Sequence, residues 1–297
     1  MSELKIVAEN FETEEKLVAT ELRKLSGKDL LNKADYIRKD VVNVCIKNGA
    51  GHIAPSLSCV DILVALYYQA MNCSSDPQWE QRDRLVFSKA HGCYGLYAIL
   101  ADVGYIQRVD WDNFYKGSFL AGCIEREVKH GIEAGCGSLG HGLPQAVGIA
   151  FGAQWQGLDY HAYCVAGDGE MQEGSNWEAI QVAVKYELSN LTMIIDRNKL
   201  QAMDFLDNVL TTKGRKDDLD RKLEAFGFYV QACDGHNLDE MTGILNDWRK
   251  NRNQIKKPQV LLADTVKGYG LKCMENVPKF HFRLPTEEEL RMGWCNE

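Results

Sequence analysis

The chain has 297 residues, 45% of them hydrophobic and 26% charged, with a formal net charge of −8. That length supports one large domain with a real core, and the acidic balance argues against a nucleic-acid backbone as partner, since such partners leave a basic face on their binders. The 10 cysteines include no C-x-x-C pair and several sit in apolar runs (Cys45, Cys59, Cys164), which points to reduced, buried thiols in a cytoplasmic protein and away from a disulfide scaffold or a zinc site.

The charged N-terminus has no apolar core and does not read as a signal peptide. No apolar run approaches the roughly 20 residues of a membrane span, so no membrane partner is expected. From about residue 12 to 47, apolar residues recur at three and four: Leu17, Leu22, Leu25, then Leu30, Leu31, Ile37, Val41, Val44. This spacing predicts helix, broken into two at Ser26 and Gly27. Residues 1–30 are expected to form a helical extension, and residues 31–297 the main domain. The turn GAGHIAPSLS follows, then an apolar helix over 59–71.

Beyond it the texture alternates. Residues 85–87 read as a short strand, 91–103 as a helix, and 116–138 as a Gly-rich loop. GSLGHGLPQAVGIAFGAQWQG opens on glycines and runs into a small-residue helix. HAYCVA, LTMIID, FYVQAC and QVLLAD are four compact apolar runs with helical stretches between them. Strands buried on both faces and separated by helices predict an α/β fold with a parallel sheet and helices on both faces. The basic cluster Arg249, Lys250, Arg252, Lys256 and Lys257 reads as a solvated helix end and loop.

The most informative stretch runs from 162 to 200. One apolar strand ends in Gly167-Asp168-Gly169, and the next ends in Arg197-Asn198-Lys199-Leu200. In a parallel sheet both carboxyl ends lie on one edge, where ligands bind, so Asp168 and Asn198 meet across one βαβ unit. The flanking glycines let the backbone approach a ligand closely. Glu173 and Gly174 open the following helix, whose N-terminus favours anions. A carboxylate, an amide oxygen and a carbonyl, completed by substrate phosphates, is the pattern of Mg²⁺ on a diphosphate.

GDG followed after a little under thirty residues by Asn resembles the thiamine diphosphate signature, and GDGEMQEGSNWEA…IIDRNKL resembles the transketolase family. The likeness extends in order over about residues 35–285, through NGAGHIAPSLSCVDILVALYY, DRLVFSKAHGCYGLYAIL, GIEAGCGSLGHGLPQAVGIA and ADTVKGYG…MENVPKFH. The resemblance implies a thiamine-diphosphate-binding fold and transfer of a two-carbon ketol unit from a ketose to an aldehyde. It implies a metal (Mg²⁺, or Ca²⁺ or Mn²⁺ in its place) on Asp168, Asn198 and the carbonyl of Leu200. Diphosphate contacts would come from His91, Gly167, Gly169, Lys267 and His281, and aminopyrimidine contacts from Gly137 and Leu139. His52, His91 and His281 would handle protons, for which imidazole is suited by its pKa near ~6.5. Glu173, with Glu178 as a further candidate, would join a hydrogen-bond path between two cofactors. His130, His161 and His236 are expected to be structural.

The chain departs from the family at substrate positions. Cys123 stands where the family has a donor-contacting histidine, His141 where it has glutamine, Ile53-Ala54-Pro55 in the His52 turn, and Phe282 after His281. His52, Cys123 and His141 are therefore the expected substrate contacts, with cofactor binding retained and a non-standard donor. The family's complete chain is about twice this length and carries the catalytic glutamate in its other half. The expected partner is a pyrimidine-binding, C-terminal transketolase subunit in an α₂β₂ heterotetramer. Two alternatives stay open: a subunit of an acyloin-forming or 2-oxo-acid-decarboxylating thiamine diphosphate enzyme, and a non-catalytic diphosphate-binding module.

Overall fold

The computed structural model describes residues 20–202, 204–209 and 218–295. Its first described residues correct the sequence reading. Residues 20–26 are extended, not helical: the Leu22 amide donates to the Cys73 carbonyl at 3.0 Å and the Leu25 amide to Tyr68 at 2.9 Å. Ser26, with φ −150° and no side-chain cap bond, precedes the true first helix, α1 (Gly27–Asn48), which ends at Gly49 with φ 69°. Leu30 on α1 is already core, so the expected boundary after residue 30 falls inside this helix. The remainder of the expected extension, 1–19, lies outside the described residues.

The helices α2 (Ile53–Leu57) and α3 (Val60–Ala65) continue into a π-helical turn, Leu66–Ala70. The 18-residue window Ile53–Ala70 is apolar enough by composition to cross a bilayer, contrary to expectation, but 94% of it is buried inside the domain. Strand β1 (Arg84–Phe87) leads through a 3₁₀ turn at Ala90–Gly92 into α4 (Cys93–Asp102) and α5 (Arg108–Asp112). Then follow α6 (Gly142–Gln156), β2 (Ala162–Gly167), α7 (Gly174–Lys185), β3 (Leu191–Arg197), α8 (Leu206–Val209) and α9 (Leu219–Phe226). The chain closes with β4 (Tyr229–Asp234), α10 (Leu238–Ile255), β5 (Gln259–Asp264) and α11 (Glu287–Leu290).

All pairings in the sheet are parallel, in the order β1-β2-β3-β5-β4. Helices α6, α7 and α9 pack in series as one layer, while α1, α3 and α10 form another. The α/β class with a buried parallel sheet is as the apolar runs predict, since β2, β3 and β5 are buried nearly throughout. Strand β4 differs: it is one of the two edge strands, opposite β1, and Tyr229 and Ala232 on it are exposed. The basic cluster is also only half solvated. Arg249 pairs with the fully buried Asp83, and Arg252 with Asp159, while Lys250, Lys256 and Lys257 are exposed.

Register fixes the rest. Gly167 on β2 lies opposite Asp196 on β3, so the residues just past each strand meet at one carboxyl edge. That edge collects Ser88, Lys89 and His91 after β1, Asp168 after β2, Asn198 after β3 and Thr265 and Lys267 after β5.

Candidate active site

Asp168 leaves β2 with a buried carboxylate held by two backbone amides. Oδ1 accepts from Gly169 at 2.7 Å, and Oδ2 from Lys199 at 2.5 Å. Lys199 adopts φ 61°, the turn that aims its N–H back across the sheet. The meeting of Asp168 with the Asn198 segment is therefore as the βαβ argument predicts. The Asn198 side chain is oriented at both ends, its Nδ2 donating to Asp196 at 3.2 Å and its Oδ1 accepting from the Leu200 amide at 3.1 Å. Burial, and then the neighbouring Asp196, push the Asp168 carboxyl up to about 6.

These oxygens fit a hard divalent cation. The Leu200 carbonyl already accepts from a cation, the Lys267 ammonium, at 2.8 Å. Asp168 is a buried carboxylate whose amide donors do not offset its desolvation, so a metal ion beside it would stabilise the charged form. Among the described residues there is no cluster of three or more His, Cys, Asp or Glu side chains of metal-binding geometry. A set of one carboxylate, one amide and one carbonyl suits Mg²⁺ shared with phosphates rather than zinc.

The three expected histidines converge from distant segments. His52 precedes α2, His91 sits in the 3₁₀ turn after β1, and His281 ends the turn Pro278–His281. Their ring centroids lie 6.3 Å (His52–His91), 5.8 Å (His52–His281) and 5.1 Å (His91–His281) apart. Burial, and then the Lys267 ammonium, lower His52 and bring His281 down to about 3. Burial, and then Lys89, hold His91 well below its usual range. All three are thus neutral near neutral pH, able to accept hydrogen bonds at an unprotonated ring nitrogen. His281 Nδ1 lies 2.8 Å from Lys267 Nζ, and burial followed by Lys89 brings that lysine down to about 7.

The aminopyrimidine candidates lie on the loop before α6. Gly137 is exposed, and a Cβ built on it would lie 3.4 Å from Cys123 Sγ. The antiparallel bridge between Ile124 and Cys136 brings these two strands of loop together. The Leu139 carbonyl accepts from His141 Nδ1 at 3.1 Å, which turns the exposed His141 along its own loop. Glu173 is exposed at the start of α7 and packs on Gly140, where a Cβ would lie 2.5 Å from that of Glu173. Glu178 lies further along α7, also exposed.

Two buried groups escaped the sequence reading. Lys89 donates to Asp196 and to the Pro55 carbonyl and Ser58 Oγ at 2.8 and 2.9 Å. Its side chain crosses the end of β2 at Gly167, where a Cβ would lie 3.7 Å from Lys89 Cγ. Burial alone would disfavour both charges, but their attraction wins: Lys89 is raised and Asp196 lowered. Thr265 also donates to Asp196. Glu170, in turn, accepts from the amides of Gly140 and Gly167 at 2.8 and 3.1 Å and from Ser88, pinning the 137–142 loop to the strand ends. The signal available was position: Lys89 and Asp196 each end an apolar strand, where a charge needs a reason.

The remaining histidines lie outside this cluster, as expected. His130 stacks on Phe119, His161 bonds Thr192 at 2.8 Å, and His236 joins Asp61 at 2.6 Å while stacking on Tyr269.

Residues 31–292 match the family described as transketolase, thiamine diphosphate binding domain. A subunit of the apulose-4-phosphate transketolase of Actinobacillus succinogenes is 39% identical over 275 residues, covering 91% of this chain and 96% of that one. The 6-deoxy-6-sulfo-D-fructose transketolase subunit of a Clostridium species is 37% identical over 263 residues, covering 88% and 93%. The crystal structure of Campylobacter jejuni transketolase superposes with a TM-score of 0.79 at 28% identity, covering 90% of this chain and 42% of that one. The strand-end site and these matches agree: the chain belongs to the transketolase family, and its fold is that family's thiamine diphosphate binding domain.

Proposed function

We propose that this chain is the diphosphate-binding subunit of a two-subunit, metal-dependent transketolase with a non-standard ketose donor. The observation that carries the reading is the single carboxyl edge on which a buried Asp168–Asn198–Leu200 oxygen set lies beside three neutral imidazoles. In this reading Asp168, Asn198 and the Leu200 carbonyl hold Mg²⁺. His91, the Gly167–Gly169 turn, Lys267 and His281 hold the diphosphate, and the backbone of Gly137 and Leu139 holds the aminopyrimidine. Bound there, thiamine diphosphate supplies the carbon nucleophile that carries a two-carbon ketol unit from donor to acceptor. His52, His91 and His281 take and return the protons of sugar hydroxyls. Glu173 belongs to the hydrogen-bond path toward a second cofactor, and Cys123 and His141 face the sugar.

The partner is a pyrimidine-binding, C-terminal-type polypeptide, and the assembly an α₂β₂ heterotetramer. Two relatives of near-equal length are named as single subunits of their transketolases, and this chain covers only 42% of a whole transketolase. All ten cysteines are free thiols, which supports a cytoplasmic setting.

The test is the purified chain with its partner, offered ketose phosphates or pyruvate. Ketol transfer with release of a shortened aldehyde is expected. Release of carbon dioxide from pyruvate would instead establish the acyloin-forming or decarboxylating alternative, which Cys123, a weak hydrogen-bond partner in place of a donor-contacting histidine, leaves open.

A further inference from the structure

Tyr115 has φ 64°, a left-handed conformation that an aromatic side chain rarely adopts. Outliers of this kind persist where the surroundings over-determine them, often beside a ligand. Here the Tyr115 amide donates to the Leu120 carbonyl at 3.2 Å, and its ring lies against Phe114 at 5.2 Å. The phenol oxygen is placed with more care than packing requires. A Cβ built on Gly122 would lie 1.6 Å from the Tyr115 hydroxyl and 3.3 Å from that of Tyr94, so only glycine at 122 admits them.

Both hydroxyls thus approach the same point above Gly122. Tyr94 is buried, and its ring lies nearly parallel to His52 at 6.3 Å. The backbone between them is fixed: Tyr97 donates to the Ala121 carbonyl at 3.1 Å, and Cys93 Sγ lies 3.7 Å from the Gly122 carbonyl. Cys123, next in the chain, is exposed beside Gly137. The Tyr115 hydroxyl therefore lies in the wall between His52 and Cys123, on a side chain that is itself 54% exposed.

We propose that Tyr115 is a donor-specificity residue, its hydroxyl bonding a hydroxyl of the sugar donor in the gap between His52 and Cys123, with the Tyr94 hydroxyl beside it over Gly122. The inference rests on the ketol-transfer reading. A phenol both donates and accepts, as a polyhydroxylated ligand requires, whereas the thiol of Cys123 does either only weakly.

The test uses the reconstituted two-subunit enzyme with fructose 6-phosphate, apulose 4-phosphate and 6-deoxy-6-sulfofructose as donors. Tyr115→Phe keeps the ring and removes only the hydroxyl. It is expected to lower kcat/KM for the preferred donor about fivefold or more, as for one lost hydrogen bond, with the melting temperature and thiamine diphosphate affinity unchanged. Tyr94→Phe should weaken the same donor, and the double variant should be no worse than Tyr115→Phe alone. Kinetics for Tyr115→Phe within about twofold of wild type on all three donors, or a matching loss of stability or cofactor affinity, would overturn the proposal while leaving the ketol-transfer reading standing. A wild-type enzyme that transfers from no ketose would overturn both.

Discussion

Lys89 is the residue on which several parts of the site converge. It meets Asp196 from a position 107 residues away in the chain, and the same carboxylate orients Asn198 and receives Thr265. Removing one member of a buried pair leaves the other charge uncompensated, at a cost of about 3–5 kcal/mol. Lys89→Met is therefore expected to lower the unfolding free energy by that amount in urea, and Lys89→Met with Asp196→Asn by clearly less. A single variant within about 1 kcal/mol of wild type would contradict the role given to this pair. Such long-range pairs explain what the sequence hid. Asp168 and Asn198 were legible because one βαβ unit fixes their spacing. Lys89 with Asp196, and Glu170 with Gly140, depend on which strands are neighbours and on the gap that Gly167 leaves.

Among the elements, the strands were readable because burial on both faces leaves uninterrupted apolar runs. The apolar pattern misleads at two places. The spacing of Leu22 and Leu25 fits a helix, but residues 20–26 bond the carbonyls of Cys73 and Tyr68 instead. Tertiary pairing overrides weak propensity in so short a segment. Strand β4 reads as core but is an edge strand with exposed residues. His161, just before β2, carries a pH consequence for this part of the fold. It is fully buried, its Nε2 bonds Thr192, and its Nδ1 has no hydrogen-bond partner among the described residues. Burial, and then Arg249, hold its pKa well below 6.5. The unfolded chain thus binds a proton that the folded one refuses. The stabilising contribution is complete above the unfolded pKa of ~6.5 and is lost as pH falls below it. Urea unfolding should show stability falling from pH 6.5 to about 5, and His161→Gln should reduce that slope by about one proton, ~1.4 kcal/mol per pH unit. An unchanged slope would show that His161 titrates normally. His52, His91 and His281 act in the same direction and account for part of the remainder.

Taken whole, the molecule presents two kinds of surface at one sheet edge. Asp168, Asn198, Leu200 and Lys267 are buried, and their geometry is complete within the chain. Gly137, His141, Glu173 and Cys123 are exposed beside them. In the proposed assembly this exposed rim meets the second subunit, so a cofactor lies between the chains with its diphosphate end in this one. The sequence carried the placement of Asp168 and Asn198 at this edge because motif spacing fixes it. It carried less of the rim, where Tyr115 is placed by loop geometry alone. The most direct measurement is calorimetric titration of thiamine diphosphate into the co-purified two-subunit protein, with Mg²⁺ and with a chelator, for wild type and Asp168→Ala. The account predicts saturable binding that weakens roughly tenfold or more on chelation. It also predicts a folded Asp168→Ala protein that has lost the metal dependence. Equal affinity with and without Mg²⁺, or wild-type binding by Asp168→Ala, would contradict it.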